Sequence, residues 1–167
     1  MRKNIVLLLL VFLLFYGNSY SQTTDLLDEN DVPLTVQAWF YKRYNNPAKI
    51  EWRIKKFSDK KYFAVSFAHK GRSVSALYDS NGTILEESTV NIKPVLSSEI
   101  KYYINQNYDK FKTMSLKSIK VFSKLSPKPT IYYQLVGRAN QDDVSVWFDS
   151  ANQIRRKKDF SGYASVN

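Results

Sequence analysis

Residues 73–84 read SVSALYDSNGTI, and residues 143–154 read DVSVWFDSANQI. In both, apolar side chains alternate with small or polar ones, the period of two that belongs to a half-buried strand. Each stretch then meets Asp-Ser followed by Asn-Gly or Ala-Asn, turn chemistry that ends one strand and starts the next. Val74 and Val144, Ser75 and Ser145, Tyr78 and Phe148, Asp79 and Asp149, Ser80 and Ser150, and Ile84 and Ile154 correspond at an offset of 70. A stretch that recurs with its turn in place invites a search for recurrence around it.

The surroundings also correspond. Val32, Val36, Phe40 and Tyr44 fall every four residues with Trp39 beside them, one face of an amphipathic helix. Asp31 is the expected N-cap and Pro33 sits in the first turn, while Asn45-Asn46-Pro47 stops the helix. Leu96, Ile100, Ile104 and Tyr108 repeat the spacing 64 positions later, with Ser97 or Ser98 as cap. Strands are expected at 49–56, 61–67, 72–78 and 83–90, and again at 118–123, 130–136, 142–148 and 153–160. The growth of the offset from 64 to 70 is assigned to a longer loop around Met114 and to Ser126-Pro127-Lys128-Pro129.

The expected fold class is therefore α+β. Two tandem units, 32–91 and 92–160, would each be a helix followed by a four-stranded antiparallel meander. Side by side they would form one continuous sheet with both helices on one face. Residues 22–31 are expected to be a flexible leader and 161–167 a tail.

The N-terminal stretch has another purpose. Arg2 and Lys3 precede an apolar run from Ile5 to Tyr16, and Ser19-Tyr20-Ser21 places small residues before a cleavage point at Gln22. That is the pattern of a secretory signal peptide over residues 1–21. The run is shorter than the about 20 residues a spanning helix needs. The chain has no cysteine, which excludes a lipidated cysteine at the cleavage point and any disulfide framework. Loss of Arg2 and Lys3 with the signal takes the formal net charge from +10 to +8. The remaining charge is uneven: 22–91 carries ten Lys/Arg against nine Asp/Glu, and 92–167 carries thirteen against six. A basic half could solvate an exported domain or meet lipid phosphate, acidic glycan or an acidic protein.

The order Val-Pro-x-x-Val-x-x-x-Phe-x-x-x-Tyr-x-x-Pro from Val32 to Pro47, then Ile50-Glu51-Trp52, then Leu77-Tyr78-Asp79-Ser80-Asn81-Gly82, resembles the PepSY-like, beta-lactamase-inhibitor-like family of exported proteins from Gram-negative bacteria. The resemblance covers residues 32–160. Its second part departs from the pattern: Ala151-Asn152 replaces Asn-Gly, Asp109 stands where proline is usual, and Ile119-Lys120-Val121 replaces the tryptophan strand. The resemblance implies a two-layer fold with a concave antiparallel sheet and a periplasmic or secreted binding protein. Protein inhibitors of beta-lactamase share that architecture and grip an enzyme loop with the concave face. The matched motifs are structural, so no inhibitory residue transfers.

Catalytic chemistry is poorly provided for. The only histidine, His69, stands at an expected hairpin turn, and with no cysteine beside it neither a zinc site nor a histidine-based triad is expected. The five glycines are scattered, so there is no phosphate-cradling loop. Glu86-Glu87 and Asp142-Asp143 are sequence neighbours on expected strands, so each pair would point to opposite faces. The expectation is a non-enzymatic protein without metal or cofactor.

Strand alternation then divides the side chains. Ile50, Trp52, Ile54, Phe63, Val65, Phe67, Val74, Ala76, Tyr78, Ile119, Val121, Ile131, Tyr133, Leu135, Val144, Val146 and Phe148 are expected to face the helices. Tyr62, Leu77, Lys120, Phe122, Tyr132, Gln134 and Trp147 are the candidate binding residues of the opposite, concave face, joined by Ser66, Ser73, Ser75 and Ser145. Aromatic and hydroxyl groups on an open sheet suit a protein partner, although the same residues also suit ordinary sheet surface. Arg155, Arg156, Lys157 and Lys158 offer either a contact for an anionic lipid or glycan, together with Lys120, or protection of a sheet edge. The expected partner is an envelope or extracellular protein, with the anionic envelope component as the alternative and no role for nucleic acid.

Overall fold

A computed structural model describes residues 24–57 and 59–156. The expected signal segment, Lys157, Lys158 and the tail lie outside the described residues.

Among the described residues nine strands form one antiparallel sheet in strict chain order, β1 to β9. They are β1 (Thr24–Leu27), β2 (Ala48–Phe57), β3 (Lys60–His69), β4 (Arg72–Asp79), β5 (Ile84–Asn91), β6 (Lys112–Ser123), β7 (Ser126–Ala139), β8 (Asp142–Asp149) and β9 (Ile154–Arg155). Among the described residues two α-helices interrupt the meander, α1 (Leu34–Arg43) before β2 and α2 (Ser98–Asn107) before β6.

This corrects the expectation of two helix-plus-four-strand units. A single sheet of nine strands runs without a break through the expected boundary, because β5 pairs with β6 from Glu86↔Val121 to Asn91↔Leu116. The expected flexible leader contributes a strand of its own: β1 pairs with β2 from Thr24↔Lys55 to Leu27↔Trp52. Four residues are too few for alternation to be read from sequence, and the acidic setting masked them. Leu27 packs against the hydrophobic core while its neighbour Leu26 stays exposed.

The two expected loops are also strand. Met114 lies in β6 at a register shift between Thr113 and Ser115, and Pro127 and Pro129 lie in β7 opposite the shift between Val121 and Ser123. A bulge is where a strand tolerates proline, since no ladder donor is demanded there. The extra residues therefore lengthen a hairpin instead of looping out.

Helix entry differs from expectation at α1. Asp31 closes a single 3-10 turn (Glu29–Asp31), and Pro33 occupies the N-cap position without a side-chain cap. At α2, Ser97 caps as expected, its Oγ accepting from the Ile100 amide at 3.3 Å.

Directly paired residues of an antiparallel sheet share a face, so the register assigns every side chain. Val36 and Phe40 of α1 lie in a buried cluster with Trp52, Phe63, Val65, Phe67, Val74, Ala76 and Tyr78. Ile100 and Ile104 of α2 lie in a second cluster with Leu135, Val146 and Phe148. The pairing line Val74↔Thr89, Thr89↔Ser118, Ser118↔Tyr133, Tyr133↔Phe148 places both clusters on the same face.

Candidate functional site

The opposite face carries neither helix. Three lines of paired residues cross it. One runs Arg53, Ala64, Leu77, Glu86, Val121, Thr130. The next runs Glu51, Ser66, Ser75, Ser88, Ile119, Tyr132, Asp149. The third runs Ser73, Val90, Lys117, Gln134, Trp147, Arg155. Leu77, Tyr132, Gln134 and Trp147 thus share this face, as the alternation predicts, and Tyr62 joins them one step beyond Ala64 on β3. Tyr132 and Trp147 sit on adjoining strands in neighbouring lines.

Near the middle of this face is a depression of about 260 Å³. Serines 66, 75 and 88 supply its small floor, with the Ser66 and Ser75 hydroxyls 3.3 Å apart. Arg53, Lys55 and Lys117 supply cations at its wall and Glu86 the one carboxylate. Ser88 and, beside it, Ile119 and Val121 are buried although both helices lie on the other side of the sheet. Small floor residues between larger neighbours are what make a dent in a sheet surface. These cations were not singled out from the sequence, where they were indistinguishable from other surface charges.

The expected parity of β6 is inverted. Ile119 and Val121, expected to face the helices, lie on the uncovered face, paired with Ser88 and Glu86. Lys120, expected on the concave face, pairs with Glu87 on the helix side. Phe122 goes with it: the Arg43 guanidinium of α1 lies 5.2 Å from its ring centre. The candidate concave set therefore loses Lys120 and Phe122. The physical reason is position. Residues 118–121 of β6 lie between the two hydrophobic clusters, so apolar side chains there find no helix to pack against on that side.

What occupies the helix side at this seam is a charged cluster around Glu87, which is 7% exposed. Its Oε2 accepts from the Tyr44 hydroxyl at 2.6 Å and from Arg43 at 3.0 and 3.1 Å, and its Oε1 accepts from Lys120 at 2.9 Å. Burial alone would raise the carboxyl, but the hydrogen bonds from Tyr44, Lys120 and Arg43 more than offset it and hold the group at about 2. Burial, then the hydrogen bond to Glu87, pushes the Tyr44 phenol upward. The sequence did carry a signal for this cluster. Of two adjacent acids on a strand, one must face the helices, and a carboxylate there demands a cation.

The basic run is only partly described. Arg155 is held by Asp149, with Nη2 2.8 Å from Oδ2, and Arg156 lines a separate cleft with Tyr103, Tyr108 and Trp147. Lys157 and Lys158 lie outside the described residues. With Lys120 on Glu87 and Arg155 on Asp149, two residues of the anionic-contact set are already paired. His69 stands at a hairpin turn as expected, paired with Arg72 across Lys70-Gly71, but its ring packs against that of Tyr44 at 5.6 Å. Among the described residues no group of three or more His, Asp or Glu could hold a metal ion, and no helix is long and apolar enough to cross a membrane.

The geometry, a long antiparallel meander with helices on one face and an open face behind, is the BLIP-like fold. A BLIP-like protein from Bacteroides fragilis matches it at a TM-score of 0.53 with 14% identity, over 73% of this chain and 82% of that one. A DUF2874 family protein from Bacteroides uniformis matches at 0.59 with 16% identity, over 74% and 86%. A protein from Bacteroides eggerthii proposed to be periplasmic matches at 0.57 with 15% identity, over 75% and 86%. No family model matches the chain, and no curated protein does. At these identities the likeness is one of fold. It supports neither the PepSY-like resemblance nor an internal duplication.

Proposed function

We propose that this chain is an exported, non-enzymatic binding protein that holds a protein partner on the uncovered face of its sheet. The observation that carries this reading is the face itself: a depression of about 260 Å³ walled by Arg53, Lys55 and Lys117, with Leu77 at its edge and Tyr132 and Trp147 beyond. Large amphipathic side chains near a surface depression are what anchor protein interfaces. With Arg53 already paired to Glu51, Lys55 and Lys117 against Glu86 still favour an acidic segment in the dent, and charge of this kind raises the rate of encounter more than the final affinity. Export to the periplasm accords with the signal pattern of residues 1–21 and with the Bacteroides neighbour proposed to be periplasmic. The anionic-envelope alternative is weakened by the pairing of Lys120 and Arg155.

The test is site-resolved cross-linking in the native envelope. A photoreactive residue at Leu77 should capture a discrete partner, whereas one at Trp39 on the helix side should not. Combining Trp147→Ala with Tyr132→Ala should weaken capture about a hundredfold, as expected for two anchor residues. Equal capture from both faces, or a double variant that captures normally, would remove the assignment.

A further inference from the structure

On the helix side a second concavity, of about 600 Å³, opens between α1 and the turn joining β4 to β5. Trp39, Ile84 and Tyr78 give it an apolar wall, and Lys42, Arg43 and Thr83 a polar one. Its volume is that of a small-molecule site, and a mainly apolar wall with a few polar groups is the usual composition of one.

Three features distinguish it from an incidental groove. The first is Trp39, an indole left 52% exposed although Phe40 beside it is fully buried. Its ring is held in place from below: Gly82 has φ +80°, and a Cβ there would come 2.5 Å from Trp39 Cδ1 and 2.8 Å from the Thr35 carbonyl oxygen. The chain thus uses a glycine to seat the indole at the cleft edge.

The second is charge. Lys42 Nζ stands 4.7 Å from the indole centre and makes no ion pair among the described residues. Arg43 shares the single Glu87 carboxylate with Lys120, so two cations are gathered around one buried acid, and Lys42 stands beside them without one. Asp79, the acid of the adjoining turn, has Oδ1 engaged by the amides of Asn81 and Thr83 at 2.9 and 2.8 Å. The third is the Tyr78 hydroxyl. The residue is 1% exposed, and its hydroxyl, buried beside that of Tyr44, makes no well-formed hydrogen bond. A buried polar group without a well-formed hydrogen bond is uncommon and calls for a cause.

We propose that this cleft binds a small organic acid with a flat apolar body. Its carboxylate would sit between Lys42 and Arg43, its body against Trp39 and Ile84, and the Tyr78 hydroxyl would be the further donor. The site lies across the sheet from the proposed partner surface, so either reading can fail without the other.

Chemical-shift mapping on the isotopically labelled exported protein tests it, with phenylacetate as the probe. Saturable shifts are expected at the Trp39 indole N–H and at the amides of Asn81, Gly82 and Thr83. Phenylacetamide, which has the same shape without the charge, should bind at least about tenfold more weakly, as should phenylacetate to Lys42→Gln. Tyr78→Phe, which keeps the ring in the core, should weaken phenylacetate several-fold while leaving the unfolding midpoint nearly unchanged. Absence of saturation below about 10 mM phenylacetate would overturn the proposal. So would equal binding of the amide, or shifts centred on Leu77 and Trp147. Inorganic phosphate shifting the same amides as tightly as phenylacetate would overturn the role of the apolar wall.

Discussion

Phe40 of α1 and Ile104 of α2 hold equivalent places on their helices, yet they are buried against different surroundings. Around Phe40, eleven buried residues form one cluster, and its rings interlock: Trp52 lies 5.1 Å away and Phe67 5.0 Å, both edge-on, with Tyr44 tilted at 5.5 Å. Around Ile104 the buried cluster has five members, with one stacked ring pair, Tyr133 and Phe148, at 5.2 Å. Between them, at the centre of β5 and β6, the helix side is polar, with Glu87, Thr89, Ser118 and Lys120 flanked by Leu116 and Phe122. The sheet is therefore continuous in its backbone hydrogen bonds while its hydrophobic burial is concentrated at one end. The backbone ladder and the Glu87 cluster join the ends; the hydrophobic contacts do not.

Unequal burial predicts unequal sensitivity. Phe40→Ala removes a ring that touches four others and should cost about 4 kcal/mol, whereas Ile104→Ala should cost about 3 kcal/mol. Urea unfolding of the two variants checks the difference. A larger loss at Ile104 would break the comparison, because it would place the decisive burial at the α2 end. Two separated transitions in the Ile104→Ala variant would sharpen it, showing that the ladder alone does not keep the ends cooperative.

The seam between the two ends is tested by pH. The Glu87 carboxyl is depressed from its usual 4.5 to about 2, so its contribution is fully present above about pH 4.5 and is lost as pH falls toward 2. The shift corresponds to about 2 kcal/mol once the partial exposure of Arg43 and Lys120 is allowed for. Wild type and Glu87→Gln should therefore differ in unfolding midpoint at pH 6 and converge by about pH 2. A difference that persists at low pH would mean that the side chain acts through packing and not through its charge.

Much of this arrangement was legible before any coordinates. Helical spacing from Val32 to Tyr44 and from Leu96 to Tyr108 located both helices, and alternation located the strands after α1 within about two residues. Leu77, Tyr132, Gln134 and Trp147 were assigned to their common face because alternation on β4, β7 and β8 is unbroken there. Reading failed where a local pattern answers to a distant neighbour. Ile119-Lys120-Val121 alternates as a core strand should, but which side counts as core depends on where the helices end. Thr24–Leu27 is a strand only because β2 offers it an edge. The division into two four-stranded units failed for a similar reason: recurring motifs describe local hairpins, and hairpins do not reveal where a sheet stops.

The smallest predicted effect concerns how each helix begins. At α2 the Ser97 hydroxyl satisfies the Ile100 amide, one of the four donors that a helix start leaves open. At α1 Pro33 cannot do this, and entry is fixed from elsewhere: the Gln37 side-chain amide donates to the carbonyls of Glu29 and Val32 at 2.8 and 2.9 Å, and Val32 itself is buried in the larger cluster. The sparsely packed end thus relies on a local cap where the densely packed end relies on tertiary contact. Ser97→Ala should cost about 1 kcal/mol, and the loss should appear as faster amide hydrogen exchange confined to the first turn of α2. Exchange rising equally in α1 would show that the two helix starts are coupled through the sheet, and the contrast between the ends would have to be withdrawn.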